Sequence, residues 1–301
     1  MKSLALLATL AAIALGAAAC GNEGAVSAGP VATAPTSTPD TVALPPSTTT
    51  TSTTTTDGGG TPVSRPTYEI WFTRGDALEL THQLGEPTQG VLAGALTRLL
   101  AGPGAITNGT SSTAVPAGTR LLGVDIDDGV ATVDLSSEFE SGGGSHSMFM
   151  RLAQLVYTAT QFDTVKSVRL HLDGEPVDVF SGEGIVLDKP LTRKDYEEFL
   201  PPIVVETPVP GDFASSPLVV SGSSNVFEAN MTLILLDANG KELIRTFTTA
   251  TCGTGCRGTF SKSLTYDVAK TQFGTLIVQD DDADGDGDPS YKVEIPLRLE
   301  P

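Results

Sequence analysis

The sequence is poor in the side chains from which most catalytic and metal sites are built. Its 301 residues hold three histidines, three cysteines and one tryptophan. No two histidines fall at a metal-ligand spacing, so a histidine-based zinc site is not expected. Basic residues are scarce as well: 18 Lys and Arg stand against 36 Asp and Glu, for a net charge of −18. Phosphate binding needs a basic face, so nucleic acid is not an expected partner. Direct adsorption to anionic lipid headgroups is disfavoured for the same reason. The N-terminal apolar run, Leu4 to Ala19, has 16 residues and falls short of the about 20 that a membrane-spanning helix needs. What is present is a 40% hydrophobic content, enough for two ordinary cores once unstructured segments are set aside.

Lys2 followed by that apolar run reads as a secretory signal peptide over residues 1–19. It ends in Ala17-Ala18-Ala19-Cys20-Gly21, which resembles the lipobox of a bacterial lipoprotein, although Ala17 stands where Leu is usual. The resemblance implies cleavage before Cys20 and diacylation of that cysteine, palmitate being a typical chain. Two acyl chains give stable anchoring where one gives marginal binding. The protein is then expected at the extracytoplasmic face of the cell membrane. The alternative is an ordinary signal peptide cleaved after an A-x-A site, with Cys20 a bystander.

Residues 20–66 read as a tether. Between Thr36 and Thr56, 11 of 21 residues are Thr, interspersed with Ser and Pro, and Gly58-Gly59-Gly60 follows. So little apolar surface cannot offset the entropy of ordering. A flexible coil of this length spans about 35–45 Å on average and suits holding a domain away from a membrane.

A first folded unit is expected over residues 67–180. Tyr68 to Thr73 alternates and is aromatic-rich, and Ala77 to His82 reads as its partner strand. Val91, Leu92, Ala95, Leu96, Leu99 and Leu100 repeat at helical spacing within Thr88 to Ala101, which Gly102-Pro103 terminates. Leu121 to Ile126 and Val130 to Leu135 flank an Asp127-Asp128-Gly129 hairpin turn. A second helix is expected from Ser145 to Gln161 and a strand from Val165 to Leu172. The order β-β-α-β-β-α-β implies an α+β sandwich, two helices on one face of a small mixed sheet. The segments Leu99-Leu100-Ala101-Gly102-Pro103, Val115-Pro116-Ala117-Gly118-Thr119 and Asp128-Gly129-Val130-Ala131-Thr132-Val133-Asp134-Leu135-Ser136 resemble the sporulation and spore-germination GerMN domain. Val156-Tyr157-Thr158-Ala159-Thr160-Gln161-Phe162 and Leu172-Asp173-Gly174 continue the likeness. The resemblance implies an extracytoplasmic interaction domain without an established reaction.

Residues 181–201 form a connector in which Leu191 to Leu200 is expected to make a short helix ended by Pro201-Pro202. Over residues 202–301 the period changes to strands. Ile203 to Glu206, Leu218 to Ser221, Met231 to Leu236, Leu243 to Ala250, Thr259 to Tyr266, Gly274 to Val278 and Lys292 to Leu299 are seven short β runs. Seven strands in about 100 residues imply an all-β immunoglobulin-like sandwich. Ser216-Pro217-Leu218-Val219-Val220-Ser221-Gly222, Asn225-Val226-Phe227-Glu228-Ala229 and Gly274-Thr275-Leu276-Ile277-Val278 resemble the Gmad2 immunoglobulin-like domain found beside germination-type domains. Phe227 is expected between the sheets with Glu228 capping a loop; the alternative is an exposed binding feature.

Cys252 and Cys256 lie in Cys252-Gly253-Thr254-Gly255-Cys256. Zinc would need two further ligands in a unit without histidine, and a redox C-x-x-C has one residue fewer. A structural disulfide is expected, as suits a chain outside the cytoplasm. Ser145-His146 follows three glycines, but the nucleophile elbow needs G-x-S-x-G, so Ser145 is expected to be a helix N-cap and no catalytic residue is assigned. The loop from Asp280 reads D-x-D-x-D-G, with Asp280, Asp282, Asp284, Asp286 and Asp288 at calcium-loop positions 1, 3, 5, 7 and 9. Tyr291 stands where the bidentate Glu belongs, so the alternatives are an irregular calcium site or a solvated acidic hairpin; no other cofactor is expected. Taken together, the sequence implies a non-enzymatic, lipid-anchored surface protein whose partner is a cell-wall polymer or an envelope protein. An accessory or sensory subunit of a membrane complex and a wall hydrolase are the alternatives.

Overall fold

The computed structural model describes residues 65–86, 88, 90–104, 110–281 and 288–301. The expected signal peptide, Cys20 and the tether up to residue 64 lie outside the described residues.

The alternating aromatic run forms β1 (Thr67–Arg74), which pairs antiparallel with β2 (Ala77–Leu84) across Gly75-Asp76. Alternation sends Tyr68, Ile70 and Phe72 to one face, where they pack on Ala95 and Leu99 of α1 (Val91–Leu100). Trp71 and Leu78 face the other way into the main core. The helix starts three residues later than Thr88, with Gly90 as its N-cap and the Gly90 N–H donating to Thr88 Oγ1 at 3.1 Å. Gly94 sits mid-helix, where glycine costs about 1 kcal/mol relative to Ala. It leaves room for Tyr68: a Cβ at 94 would lie 2.4 Å from the Tyr68 hydroxyl.

β3 (Leu121–Asp127) and β4 (Val130–Leu135) form the expected hairpin. Asp128 at φ +45° and Gly129 at φ +79° supply the two left-handed residues of a primed turn. From β4 the chain runs through α2 (Ser145–Ala159) to β5 (Ser167–Leu172), which lies parallel to β4. β6 (Glu175–Pro176) completes a sheet in the order β3-β4-β5-β6. A small ribbon of β7 (Val179–Phe180) and β8 (Ile185–Val186) follows.

One mixed sheet was the expectation; two sheets are found, because the β1–β2 hairpin does not join the other four strands. The reason lies at the outer edge of β1, which α2 occupies. Gln161 Oε1 accepts the Glu69 N–H at 2.9 Å and its Nε2 donates to the Glu69 carbonyl at 2.8 Å. Trp71 N–H donates to Thr158 Oγ1 at 3.1 Å, and Gln154 Nε2 donates to the Trp71 carbonyl at 2.9 Å. Thr73 exchanges both backbone bonds with Ser112 at 2.8 Å. Side chains of a helix thus do for β1 what a neighbouring strand does elsewhere. Gln154 and Thr158 are fully buried, so the edge lies in the core and must be satisfied there.

The connector differs from the expected α-helix. Arg193–Phe199 makes tight 3₁₀ turns that open with a capping box between Thr192 and Asp195 and break at Tyr196. Beyond it all seven expected runs form strands: β9 (Ile203–Thr207), β11 (Leu218–Ser224), β12 (Asn230–Asp237), β13 (Glu242–Thr249), β14 (Gly258–Leu264), β15 (Gln272–Asp280) and β16 (Lys292–Leu299). A further two-residue strand, β10 (Phe213–Ala214), pairs parallel with β16. The sheets β10-β16-β15-β12-β13 and β14-β11-β9 enclose a core that includes Val220, Leu233, Leu235, Phe260, Leu276 and Leu297. The molecule is therefore an α+β lobe followed by an immunoglobulin-like sandwich. Val204 of β9 belongs to the core of the first lobe, which joins the two.

Replacing Gln154 by Leu keeps its volume but strands the Trp71 carbonyl and the Ala114 N–H that it also accepts at 2.8 Å. Each buried orphan costs about 1–3 kcal/mol. Urea unfolding of Gln154→Leu is expected to show a loss of at least about 2 kcal/mol, and a neutral substitution would contradict this account of the β1 edge.

Candidate functional site

Gly144, not Ser145, is the N-cap of α2; the Ser145 hydroxyl is turned away to donate to the Glu183 carboxylate. His146 is 57% exposed in its side chain, with Nε2 3.9 Å from Asp76 and its ring edge-on to Phe199. The two residues thus serve different partners. The glycine-rich stretch before them wraps a buried guanidinium. Arg151 donates from Nη1 to the carbonyls of Phe139 at 2.6 Å and Ser141 at 3.1 Å, and from Nη2 to that of Gly142 at 2.9 Å. Arg151 was not singled out in the sequence, where it reads as part of a solvent-facing helix stripe. A cleft of about 230 Å³ beside β5 is bordered by the mixed charges of Arg169, Asp178, Asp188 and Lys189.

Titratable groups collect where the lobes meet. Glu69 on β1 stands opposite His82 on β2. Burial is the main reason that the Glu69 carboxyl is raised to about 7; the nearby Glu206 carboxylate of β9 adds to this and the Arg193 guanidinium opposes it. Burial likewise lowers His82 to about 4, and its Nδ1 has no hydrogen-bond partner. Arg193 lies over the Tyr157 ring at 5.0 Å, and Tyr157 in turn packs against Trp71 with ring centroids 4.9 Å apart. Glu69, His82 and Arg193 are half-buried, and the Arg193–Tyr157–Trp71 stack ties the connector to the first lobe.

The best-built exposed feature is on the second lobe. Phe227 does not enter the sandwich as expected: it is 57% exposed, and Val226 takes the core position. The turn that follows turns it outward, because Glu228 at φ +52° and Ala229 at φ +59° are consecutive non-glycine residues in the left-handed region. Each such residue costs roughly 1–2 kcal/mol, and this strain persists only when surroundings impose it. Here the Cys252–Cys256 loop imposes it. The two sulfurs are bonded, with Cα atoms 5.7 Å apart. Glu228 N–H donates to Thr254 Oγ1 at 2.9 Å, Thr254 N–H to the Val226 carbonyl at 3.0 Å, and Gly255 N–H to Asn225 Oδ1 at 3.0 Å. Gly253 lies directly on Ala229, and a Cβ there would come within 2.5 Å of its backbone. The backbone of Glu228 is held by this loop, and its side chain is exposed.

Of the carboxylates expected to ligate calcium, Asp282, Asp284 and Asp286 lie outside the described residues. Asp280 is engaged at home, its Oδ1 accepting the Tyr291 N–H at 2.9 Å. Among the described residues no group of three His, Cys, Asp or Glu side chains could hold a metal ion.

Comparison with known proteins gives two family matches. Residues 65–178 match the Germane model, described as sporulation and spore germination. Residues 202–286 match Gmad2, the immunoglobulin-like domain of bacterial spore germination. Among solved structures, the first GerMN domain of the sporulation protein GerM from Bacillus subtilis is 22% identical, covers 43% of this chain and 98% of that one, and has a TM-score of 0.38. The tandem GerMN domains of the same protein are 15% identical, with 67% and 62% covered and a TM-score of 0.39. A Clostridium perfringens protein assigned as a lipoprotein is 22% identical, with 46% and 93% covered and a TM-score of 0.33. No curated protein matches the chain. Among the described residues no helix is long and apolar enough to cross a membrane.

Two outcomes are expected. Glycine carries no penalty in the left-handed region, so Glu228→Gly is expected to raise stability by about 0.5–1 kcal/mol, measured by urea unfolding; a loss would mean the turn is not strained. Glu69 has a folded pKa above its unfolded one, so its contribution is fully present below about 4.5 and is lost as pH rises through about 7. His82 acts in the other direction, its contribution being present above 6.5 and lost as pH falls through about 4. Glu69→Gln is therefore expected to gain stability over the parent between pH 5 and 8, on the order of 1–2 kcal/mol at such a half-buried site. A difference that does not change with pH would remove the assignment.

Proposed function

From a chain that carries a sporulation and spore-germination (Germane) domain over residues 65–178 and a Gmad2 immunoglobulin-like domain over residues 202–286, we propose a non-catalytic interaction protein of the bacterial envelope. It is anchored through diacylated Cys20 at the extracytoplasmic face of the membrane, and residues 20–66 hold the two folded lobes out toward the wall. Its partner is a cell-wall polymer or an envelope protein. The observation that carries this reading is the clamped turn at Phe227. A protein that gains nothing from an exposed aromatic ring on a strained turn has an easier sequence available, since glycine at 228 or 229 relieves the backbone. Strain of this kind is held where it positions a contact, and a rigid aromatic anchor binds at low entropic cost.

Acid–base chemistry finds no support in the two lobes. Ser145 and His146 serve different partners, and Glu69 and His82 face each other across the β1–β2 hairpin away from both. Among the described residues no serine or cysteine is hydrogen-bonded to a histidine as nucleophilic hydrolysis requires. The acidic surface repels polyanions at long range, which leaves neutral or mixed-charge wall material and proteins as partners.

The test is recovery of the full chain with isolated envelopes. Wild type is expected to co-sediment, and Phe227→Ala to lose at least about tenfold in apparent affinity, the scale of an anchor residue, with unchanged melting temperature. Equal recovery of the two proteins would contradict the reading. Release of soluble wall fragments by the wild type would replace it with hydrolysis.

A further inference from the structure

A second exposed feature lies on the outer face of the five-stranded sheet. Three neighbouring strands place Phe213 of β10, Arg298 of β16 and Phe273 of β15 side by side: Arg298 pairs in register with Phe213 on one flank and with Phe273 on the other. Being directly opposite, the three side chains share a face. The Arg298 guanidinium carbon lies 5.5 Å from the Phe213 ring centroid and 5.0 Å from that of Phe273. Both rings are exposed, at 63% and 64%. Exposed aromatic rings of this size are usually spent on a core or a contact.

The charge environment makes the arrangement specific. Acidic residues outnumber basic ones two to one in this chain, and ion pairs occupy Arg74, Arg98, Lys189, Arg245 and Lys292. Arg298 makes its side-chain contacts to the two rings, and no ion pair to it is found among the described residues. Aromatic flanks steady the flat guanidinium while its N–H donors, which lie in its plane, stay directed outward. Those donors match a carboxylate in the two-pronged geometry that arginine favours.

We propose that Phe213, Arg298 and Phe273 form a binding site for the free carboxylate end of a short peptide of the kind borne by cell-wall glycan. The guanidinium grips the carboxylate, and the rings cover the small apolar side chains beside it. A peptide end suits this protein better than a phosphate polymer does. It brings one negative charge to one guanidinium, whereas a polyanion meets a chain of net charge −18. This inference rests on the envelope-binding reading and names a ligand chemistry for it, at a site separate from Phe227.

The full chain is titrated with an N-acetylated tripeptide ending in D-Ala-D-Ala and with its C-terminal amide, using isothermal calorimetry. The acid form is expected to bind at least about tenfold more tightly than the amide, the scale of a charge-assisted hydrogen-bonded pair. Arg298→Gln removes that preference and Arg298→Lys keeps only part of it, because lysine lacks the planar fork. Phe213→Ala with Phe273→Ala weakens both peptides. Equal binding of acid and amide, no binding of either, or an Arg298→Gln protein that still prefers the acid would overturn the site. Competition by glycerol phosphate as strong as by acetate would overturn the carboxylate assignment. Failure here with Phe227-dependent envelope recovery intact removes this site alone. Acid-selective binding without envelope recovery removes the broader reading and leaves the site.

Discussion

The open edge of β1 is the constraint around which the first lobe is arranged. A strand that starts a domain and turns back as a hairpin leaves one row of N–H and C=O groups without a partner. Here that row is inside the protein, where an unpaired backbone group costs as much as a lost hydrogen bond. Gln154 and Thr158 of α2 answer it together with Gln161 just past the end of that helix, and Ser112 closes the end nearest the turn. Because these bonds fix the rotation of α2, they also fix which of its residues meet the sheet of β3 to β6. They likewise set where Tyr157 stands to receive Trp71 and Arg193. The connector and the seam with the second lobe inherit that placement.

From this frame the chain builds outward in decreasing order of burial and increasing freedom. The seam holds charged groups that are costly there: Arg193 offsets part of the cost of ionising Glu69, while burial and the like charge of Glu206 add to it. The sandwich beyond is an ordinary two-sheet core, and its surface carries two features that an inert sandwich does not need. One is the clamped Phe227 turn, where backbone strain is set against a disulfide loop and three hydrogen bonds. The other is a guanidinium flanked by two phenylalanines. Both are rigid, and both lie on strands or their tight turns rather than on long loops. Rigid placement on a scaffold is how binding energy escapes the cost of ordering.

Much of the architecture was legible in the sequence. Asp-Gly turns, the aromatic alternation of β1, the leucine spacing of α1 and the seven β runs follow local rules that a single chain displays. The Cys252–Cys256 spacing belongs with them. The stripe Arg151, Gln154, Thr158 was not legible, because polar residues repeating on a helix ordinarily mark its solvent face. The one hint was a first strand rich in aromatics with no sequence-adjacent strand to cover its far edge. Phe227 was misassigned for a related reason. An apolar residue among strands defaults to the core, and only the three-dimensional approach of Gly253 to Ala229 shows that the turn rolls it outward. Arg298 was hidden by its partners: it reads as an outward residue of an alternating strand, and Phe213 sits on a strand of two residues, too short for any periodicity to reveal.

The central claim is that this protein works by contact through the clamped turn. A photo-crosslinking side chain placed at residue 227 of the full chain in living cells tests it most directly, with the same side chain at exposed Val186 as the reference. A discrete adduct to one envelope protein or to wall material, formed from 227 and absent from 186, is the predicted result. The same adducts from both positions, or none from 227 while 186 yields one, would contradict it.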